Sequence, residues 1–516
     1  MSALICTAAL SSTPPGSQTP SIEELERKID ALQRRLDEVE GKKAKESAPA
    51  STLGEVPKEP EPRPLPVVAA YAAPIEGLLP PEPMGAQYED ALRSDLPGLS
   101  LRIPGTPTEV RVYGFAKVSG YVDLNGRNQT NTPSVQTIPL VDSPADQQGG
   151  DFGMTARFSR IGLDTRTATV LGTLETRIEG DFGGGPPASN NLVFRLRQAW
   201  GQLGTGSFRG LVGQANSLWN EGLFETLIDS TNLNQSFVRQ AQVRLTARLA
   251  RGWTGQFSIE APDTQFTSVA GIFVPGSSFN GDASPAFDSI PDFLARLTYR
   301  EDGFEFDARA LFRELTIRTA GTALAPPVVN RSTLGWGIAL HARVPMRWLS
   351  ASLGSDSLVG MAYYGEGIGR YFAGNSSGQD LISNLGLPSS TVEYQQDALQ
   401  AYGATVAYRR FWAPQWRSTF AYSYARQNYP SYAHEFVPGT ASATSLNDEM
   451  QQAIVNLIWS TFAVAHDGVV DTGWLDAGVE YIYSKRDVFG GSAATGAAGL
   501  GYGVANRLMG AAIVRF

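Results

Sequence analysis

The sequence predicts an all-β chain, a 16-stranded antiparallel transmembrane β-barrel preceded by a short α-helical coiled coil and a Pro-rich linker. Three observations predict it. Apolar and polar residues alternate with period two through residues 111–516. The alternating segments are separated by connections that are long and short in turn. No apolar run reaches the roughly 18 residues a spanning helix needs. The longest candidate, Ala453 to Ala465, is too short and carries Asn456, Ser460 and Thr461. A membrane chain without such helices must close its strands into a barrel, because lipid offers no partner for backbone polar groups.

Residues 1–20 read as a signal-like, disordered segment. Ala3 to Leu10 resembles the tail of a secretory signal, with Ala8 and Ala9 near a cleavage point but no basic n-region. Cys6 is the only cysteine, which leaves no disulfide and no cysteine-based metal site within the chain.

Residues 21–40 predict a periplasmic coiled coil. Ile22, Leu25, Ile29, Leu32, Leu36 and Val39 alternate spacings of three and four and form its core. Ser21 and Glu24 make a capping box at its start. A solvated surface helix is the plainer reading of the same pattern. Three heptads are marginal alone and gain strength if an oligomer tethers the chains.

Residues 41–110 predict a linker. They hold 13 of the 32 prolines, and such a segment is extended and semi-rigid.

Residues 111–516 predict the barrel. Long connections fall near 126–151, 183–191, 215–236, 262–290, 319–331, 367–398, 427–446 and 487–503. Short ones fall at Arg166 to Thr169, Gly204 to Ser207, Ala250 to Gly252, Glu301 to Gly303, Val344 to Gly354, Phe411 to Gln415 and Val464 to Thr472. Eight long and seven short connections imply sixteen strands, sorted as in bacterial outer-membrane barrels. A soluble sandwich has no reason to sort its loops this way.

The alternation is sharpest at 174–182. Leu174, Thr176, Ile178, Gly180 and Phe182 share one face; Glu175, Arg177, Glu179 and Asp181 share the other. The loop asymmetry assigns the charged face to the lumen. Phe208, Trp253, Phe304, Phe411, Trp412, Trp416, Trp474 and Phe516 sit beside short turns or at the terminus. Tyr and Trp belong at headgroup depth. Leu508, Gly510, Ala512, Val514 and Phe516 share a face of the last strand. Phe516 there is the expected assembly signal.

The net charge of −9 argues against a nucleic-acid partner. The region before residue 111 holds 11 basic and 17 acidic residues, so the rest is close to balanced. That rest contains 29 Arg and two Lys, Lys117 and Lys485. A GC-rich genome explains the skew. So does a demand for planar guanidinium forks, which suit carboxylates.

The segments Arg157-Phe158-Ser159-Arg160-Ile161-Gly162-Leu163-Asp164-Thr165-Arg166, Leu174 to Phe182 and Phe194 to Trp200 resemble strands of general Gram-negative porins. Leu211-Val212-Gly213-Gln214 followed by Ser217-Leu218-Trp219 resembles the strand entering their pore-folded loop. With the coiled coil and linker, the likeness is to the DcaP-like porins. That resemblance implies a homotrimer in the outer membrane of a Gram-negative bacterium, its N-terminus in the periplasm. It implies contact with outer-membrane lipid, lipopolysaccharide and the barrel assembly machinery. It also implies ion transport and uptake of small anionic solutes such as dicarboxylates, with no cofactor. Carried onto this chain, 215–236 becomes the constriction loop, with Glu221, Glu225 and Asp229 facing a basic wall. The wall candidates are Arg160, Arg177, Arg195, Arg197, Arg244, Arg248, Arg296, Arg300, Arg309 and Arg313. Some of these arginines would instead pair with lumenal acids and brace the wall. Rings of charged side chains set ion preference.

Three histidines occur. His341 shares a face with Arg343 and reads as a wall residue, not a general base. No nucleophile elbow, zinc spacing or phosphate loop stands out, so no enzyme is expected. A hydrolase barrel would need a rim histidine, for which His434 is the candidate. A plugged barrel anchoring the outer membrane through its coiled coil is the other rival.

Overall fold

The computed structural model describes residues 99–516, apart from 129–131, 186–191, 221–223, 228–231, 269–270, 274–285, 320–328, 373–378, 386–392, 462 and 467–468. The predicted signal-like segment and coiled coil, and all but the last residues of the predicted linker, lie outside the described residues.

Sixteen antiparallel strands close into a barrel. They are β1 (Thr108–Asn125), β2 (Asp151–Thr155 continued by Arg160–Thr169), β3 (Gly172–Asp181), β4 (Arg195–Gly204), β5 (Phe208–Asn216), β6 (Arg239–Ala250), β7 (Trp253–Glu260) and β8 (Asp292–Glu301). Then follow β9 (Phe304–Thr319), β10 (Val329–Pro345), β11 (Ser357–Glu366), β12 (Gln400–Ala413), β13 (Trp416–Asn428), β14 (Asn447–Ser460), β15 (Leu475–Val488) and β16 (Tyr502–Arg515). Each pairs with its neighbour in sequence, and β16 returns to β1 with Phe115 opposite Arg515. Closure removes the unpaired edges that an open sheet exposes.

The long and short connections alternate as the sequence predicts, with three differences. Arg166 to Thr169 belong to β2, and the turn is Val170-Leu171. The Thr169 hydroxyl accepts from Leu171 N and donates to the Gly172 carbonyl, closing that turn. The connection around Val464 to Thr472 contains its own hairpin, Ala463–His466 against Val469–Thr472. The sheet begins before the expected boundary at 111. A short strand, Ser100–Arg102, pairs with Arg111, Val110 and Glu109 of β1. It takes up β1 where β16 stops, since Phe516 bonds Gly114 and Leu99 accepts from Val112.

The inside-out assignment holds. Ile178, Val212, Val243, Phe312, Leu340, Val406, Val479 and Leu508 face outward and are exposed. Their alternates Glu179, Arg197, Asp307, Arg309, His341, Arg417 and Arg507 are buried in the interior. Apolar surface left outward in this way is what a hydrocarbon solvent requires.

At the short-turn end an aromatic band forms, as expected. Trp253 lies 5.0 Å from Tyr299, Tyr299 is 6.2 Å from Phe304, and Phe304 stacks on Trp348 at 5.3 Å. Trp412, Trp416 and Trp474 are exposed there. Phe411 is the exception. It shares the lumenal face with Arg409, whose guanidinium lies 5.6 Å above its ring. Phe516 is outward, and its ring covers Gly114. A Cβ at that glycine would stand 2.6 Å from the ring and 2.4 Å from the Arg160 carbonyl.

Candidate functional site

Two of the connections that pack inside the barrel shape the site. One, L3 (217–238), follows β5 and includes the expected constriction loop. The other, L6 (367–399), follows β11.

L3 lies against the inner wall of β8–β16. Leu218 and Trp219 pack with Leu294, Leu311, Ala339, Met361 and Tyr363. Phe224 and Leu227 pack with Val359, Ala407, Ala421, Ile454, Ile458, Ile482 and Met509. These strands carry apolar residues on both faces because L3 covers one and lipid the other. Polar groups fix its backbone. Leu218 N donates to Glu260 Oε1 at 2.9 Å, and Arg309 Nη1 donates to the Trp219 carbonyl at 2.7 Å. Lys117 Nζ donates to the Leu227 carbonyl at 2.7 Å, while Leu227 N donates to Glu480 Oε2 at 2.8 Å. Asn234, at φ 71°, uses its whole amide. Its Nδ2 donates to the Ala404 and Tyr424 carbonyls at 2.9 Å, and its Oδ1 accepts from Tyr363 at 3.0 Å. An amide satisfied this fully in a low-dielectric site specifies one loop position.

Of the expected loop acids, Glu221 and Asp229 lie outside the described residues. Glu225 does not face the expected wall. It forms a two-pronged ion pair with Arg417 of β13, at 2.7 and 2.6 Å. Such forks are the strong form of carboxylate pairing. The packing of L3 decides this: Phe224 and Leu227 sit on β11–β16, away from β2–β9.

The arginines expected on the wall fall into two groups. Most pair with acids. Arg160 approaches Glu179 at 3.5 Å, Arg197 contacts Glu179 at 3.1 Å and Asp181 at 2.6 Å, and Arg195 contacts Asp181 at 2.6 Å. Arg177 grips Asp164 at 2.8 Å. Arg296 and Arg309 both reach Asp307, at 2.9 and 2.5 Å, and Arg300 reaches Glu305 at 2.8 Å. Arg313 is fully buried between Asp380 at 2.9 Å and Asp292 at 3.4 Å. Arg244 and Arg248 differ. Arg244 is held by neutral oxygens, Gln242 Oε1 at 3.0 Å and the Asn216 carbonyl. Arg248 is exposed, with no ion pair among the described residues.

Between L3 and the wall of β4–β8 lies a cavity of about 460 Å³. Arg209, Arg244, Arg296 and Arg300 line it, with Gln202, Asn216, Asn220, Thr246, Thr254, Gln256 and Thr298. No carboxylate is among the described residues lining it. Higher on the same wall Arg157 joins Arg195 and Arg197, donating to the Gly183 and Gly185 carbonyls at 2.7 Å.

The expected wall leaves out Lys117, Arg157, Arg209, Arg343, Arg417 and Arg507, although the face of Arg343 and Arg507 is legible in the sequence. Each lies on the charged parity face of its strand, or beside it, so the same signal reaches them. Sequence reasoning missed the inward fold of L6 altogether. His341 is buried with Nδ1 3.2 Å from Asp307, as a wall residue. His434 lies 4.4 Å from the Phe489 ring. Glu305, Asp307 and His341 stand close enough to hold a cation. Arg296, Arg300, Arg309 and Arg343 already surround the two acids, and that positive field opposes a metal.

No curated protein matches the chain. Among solved structures, the outer membrane channel DcaP of Acinetobacter baumannii is 21% identical with a TM-score of 0.60, covering 79% of this chain and 97% of that one. Outer-membrane OmpT of Vibrio cholerae is 9% identical at TM-score 0.45, covering 80% of this chain and 99% of that one. Pseudomonas putida OprB is 11% identical at TM-score 0.45, covering 79% and 94%. Residues 102–483 match the porin subfamily, and with a closed barrel, an inverted wall and a loop folded into its interior, this chain belongs to that subfamily of outer-membrane channels.

Proposed function

We propose that the channel carries small hydrophilic solutes by diffusion and favours anions, dicarboxylates among them. The observation that carries this reading is the cavity beside L3, with four guanidinium groups and no carboxylate on its lining. Arg296 and Arg300 pair with Asp307 and Glu305 of the same wall, whereas Arg244 makes no ion pair among the described residues. A cation in a confined, partly desolvated passage attracts anions more strongly than it would in open water. Two nearby cationic centres suit a solute with two carboxylates.

The channel works as a homotrimer with its N-terminal segment in the periplasm, in contact with lipopolysaccharide and inserted by the barrel assembly machinery that reads Phe516. The likeness to DcaP-type porins and the outward Phe516 at the end of β16 support this. The reading of a non-enzymatic channel fits His341 and His434, one sealed in the wall and the other packed on Phe489.

The test is the reversal potential of single channels under a salt gradient. Chloride should dominate in the wild type, and Arg244→Glu should move the potential towards the cation side. A cation-selective wild type overturns the reading.

A further inference from the structure

L6 places a second set of side chains inside the barrel. Its first turn, Gly369–Tyr371, is flanked by Ile368 and Phe372, and all three of Ile368, Tyr371 and Phe372 are buried. Trp219 of L3 stands between two of them, 6.1 Å from Tyr371 and 5.8 Å from Phe372, both edge-on. Phe372 stacks in turn on Tyr363 of β11 at 3.6 Å. The wall opposite is stripped to receive them. A Cβ at Gly337 of β10 would stand 3.0 Å from Ile368 and 3.1 Å from Trp219.

The descent of L6 is fixed by polar groups as well. Tyr371 donates to Asp292 at 2.6 Å and accepts from Gln240 at 3.2 Å. Burial, with Asp292 alongside, pushes this phenol well above its ordinary range, so it remains a donor. Asp380 is fully buried and accepts from Arg313, from the Arg370 amide and from the Gln265 amide. Arg313 also donates to the Gly367 carbonyl at 3.2 Å. Beyond Asp380, Leu381–Ser383 pairs in parallel with Phe266–Ser268 of the loop after β7. L3, L6 and the β8–β11 wall therefore form one packed body on the long-loop side.

We propose that the described stretches of L6, residues 367–372 and 379–383, form a second constriction element, setting the size limit at the long-loop mouth and confining passage to the side of the arginine cavity. This rests on the reading of the barrel as an open channel. It assigns size selection to L6 and charge selection to the arginine cavity, which lies on the other side of L3.

The test uses the full chain in planar bilayers and in liposomes swelling in neutral sugars. Phe372→Ala, and Tyr371→Ala with Phe372→Ala, should enlarge the unitary step about two-fold. They should admit larger sugars while leaving the reversal potential unchanged. Heat-modifiable mobility reports whether each variant is folded. On the wild type, neutral polymers added on the long-loop side should be excluded at a smaller size than from the short-turn side. Folded variants with wild-type steps overturn the proposal, and so do equal polymer limits from the two sides. A wild type that gives no steps at all defeats the channel reading instead.

Discussion

The two halves of the barrel solve the same problem differently. From β1 to β7 the inner wall is a lattice of arginines, acids and aromatic rings facing open space. Arg177 lies over Tyr113 and Trp200, at 5.4 and 5.6 Å, and also grips Asp164. From β8 to β16 the inner wall is packed by loops, with apolar residues such as Leu294, Ile454 and Ile482 turned inward. One half pairs buried acids with arginines that stay partly open to solvent, as Arg160, Arg177 and Arg195 do. The other is a hydrophobic core that sits inside a pore. A barrel of this width cannot fill its own interior with side chains, so the loops supply the rest, and where they attach decides where solute passes.

This contrast can be broken by matched substitutions. The largest effect belongs to the packed half. Asp307→Ala strands Arg296, Arg309 and His341 around a buried hole and should cost about 3–5 kcal/mol. Asp164→Ala in the open half removes a carboxylate whose partners Arg111 and Arg177 reach water, and should cost about 1 kcal/mol or less. Urea or thermal unfolding in detergent, followed by heat-modifiable mobility, ranks the two. Equal losses would mean that the halves do not differ in solvation.

Glycines give the intermediate effect. Gly337→Leu must displace Ile368 or Trp219 and should cost about 1–3 kcal/mol. Gly201→Leu, on β4 with nothing within 4 Å of its Cβ position, should be close to neutral. The same unfolding assay reads both. At the small end, Arg251→Ala removes an exposed pair with Glu301 at a short turn and should change stability by less than about 0.5 kcal/mol. A larger loss there would show that the short-turn rim is more than a solvated edge.

The open half was the more legible. Its strands alternate one apolar and one charged face, so Leu174 to Phe182 declares both its period and its inversion. The strand number followed from the sorting of connections, because short turns and long loops serve opposite sides of a membrane. The turn after β2 was placed about three residues early, since Val170-Leu171 carries no Gly, Pro or Asn to mark it. The packed half hid its purpose. Ile454, Val455, Leu457 and Ile458 are apolar on both faces, a pattern that reads as a buried run and does not name what buries it. Glu225 was identified as a loop acid, yet its partner Arg417 depends on the course of L3 through space. Gly335-Trp336-Gly337 shows a stripped inner face only once Ile368 and Trp219 are seen against it.

The short strand Ser100–Arg102 has a consequence for the seam. β1 runs from Thr108 and overhangs the end of β16, so without help its first rungs would present a bare edge. The chain splints that overhang with its own preceding residues, and Arg102 fastens the splint to Glu109 at 3.0 Å. The cylinder is thereby sealed to its rim by a strand that is not one of its staves, and Leu99 is itself held there by the amide of Val112.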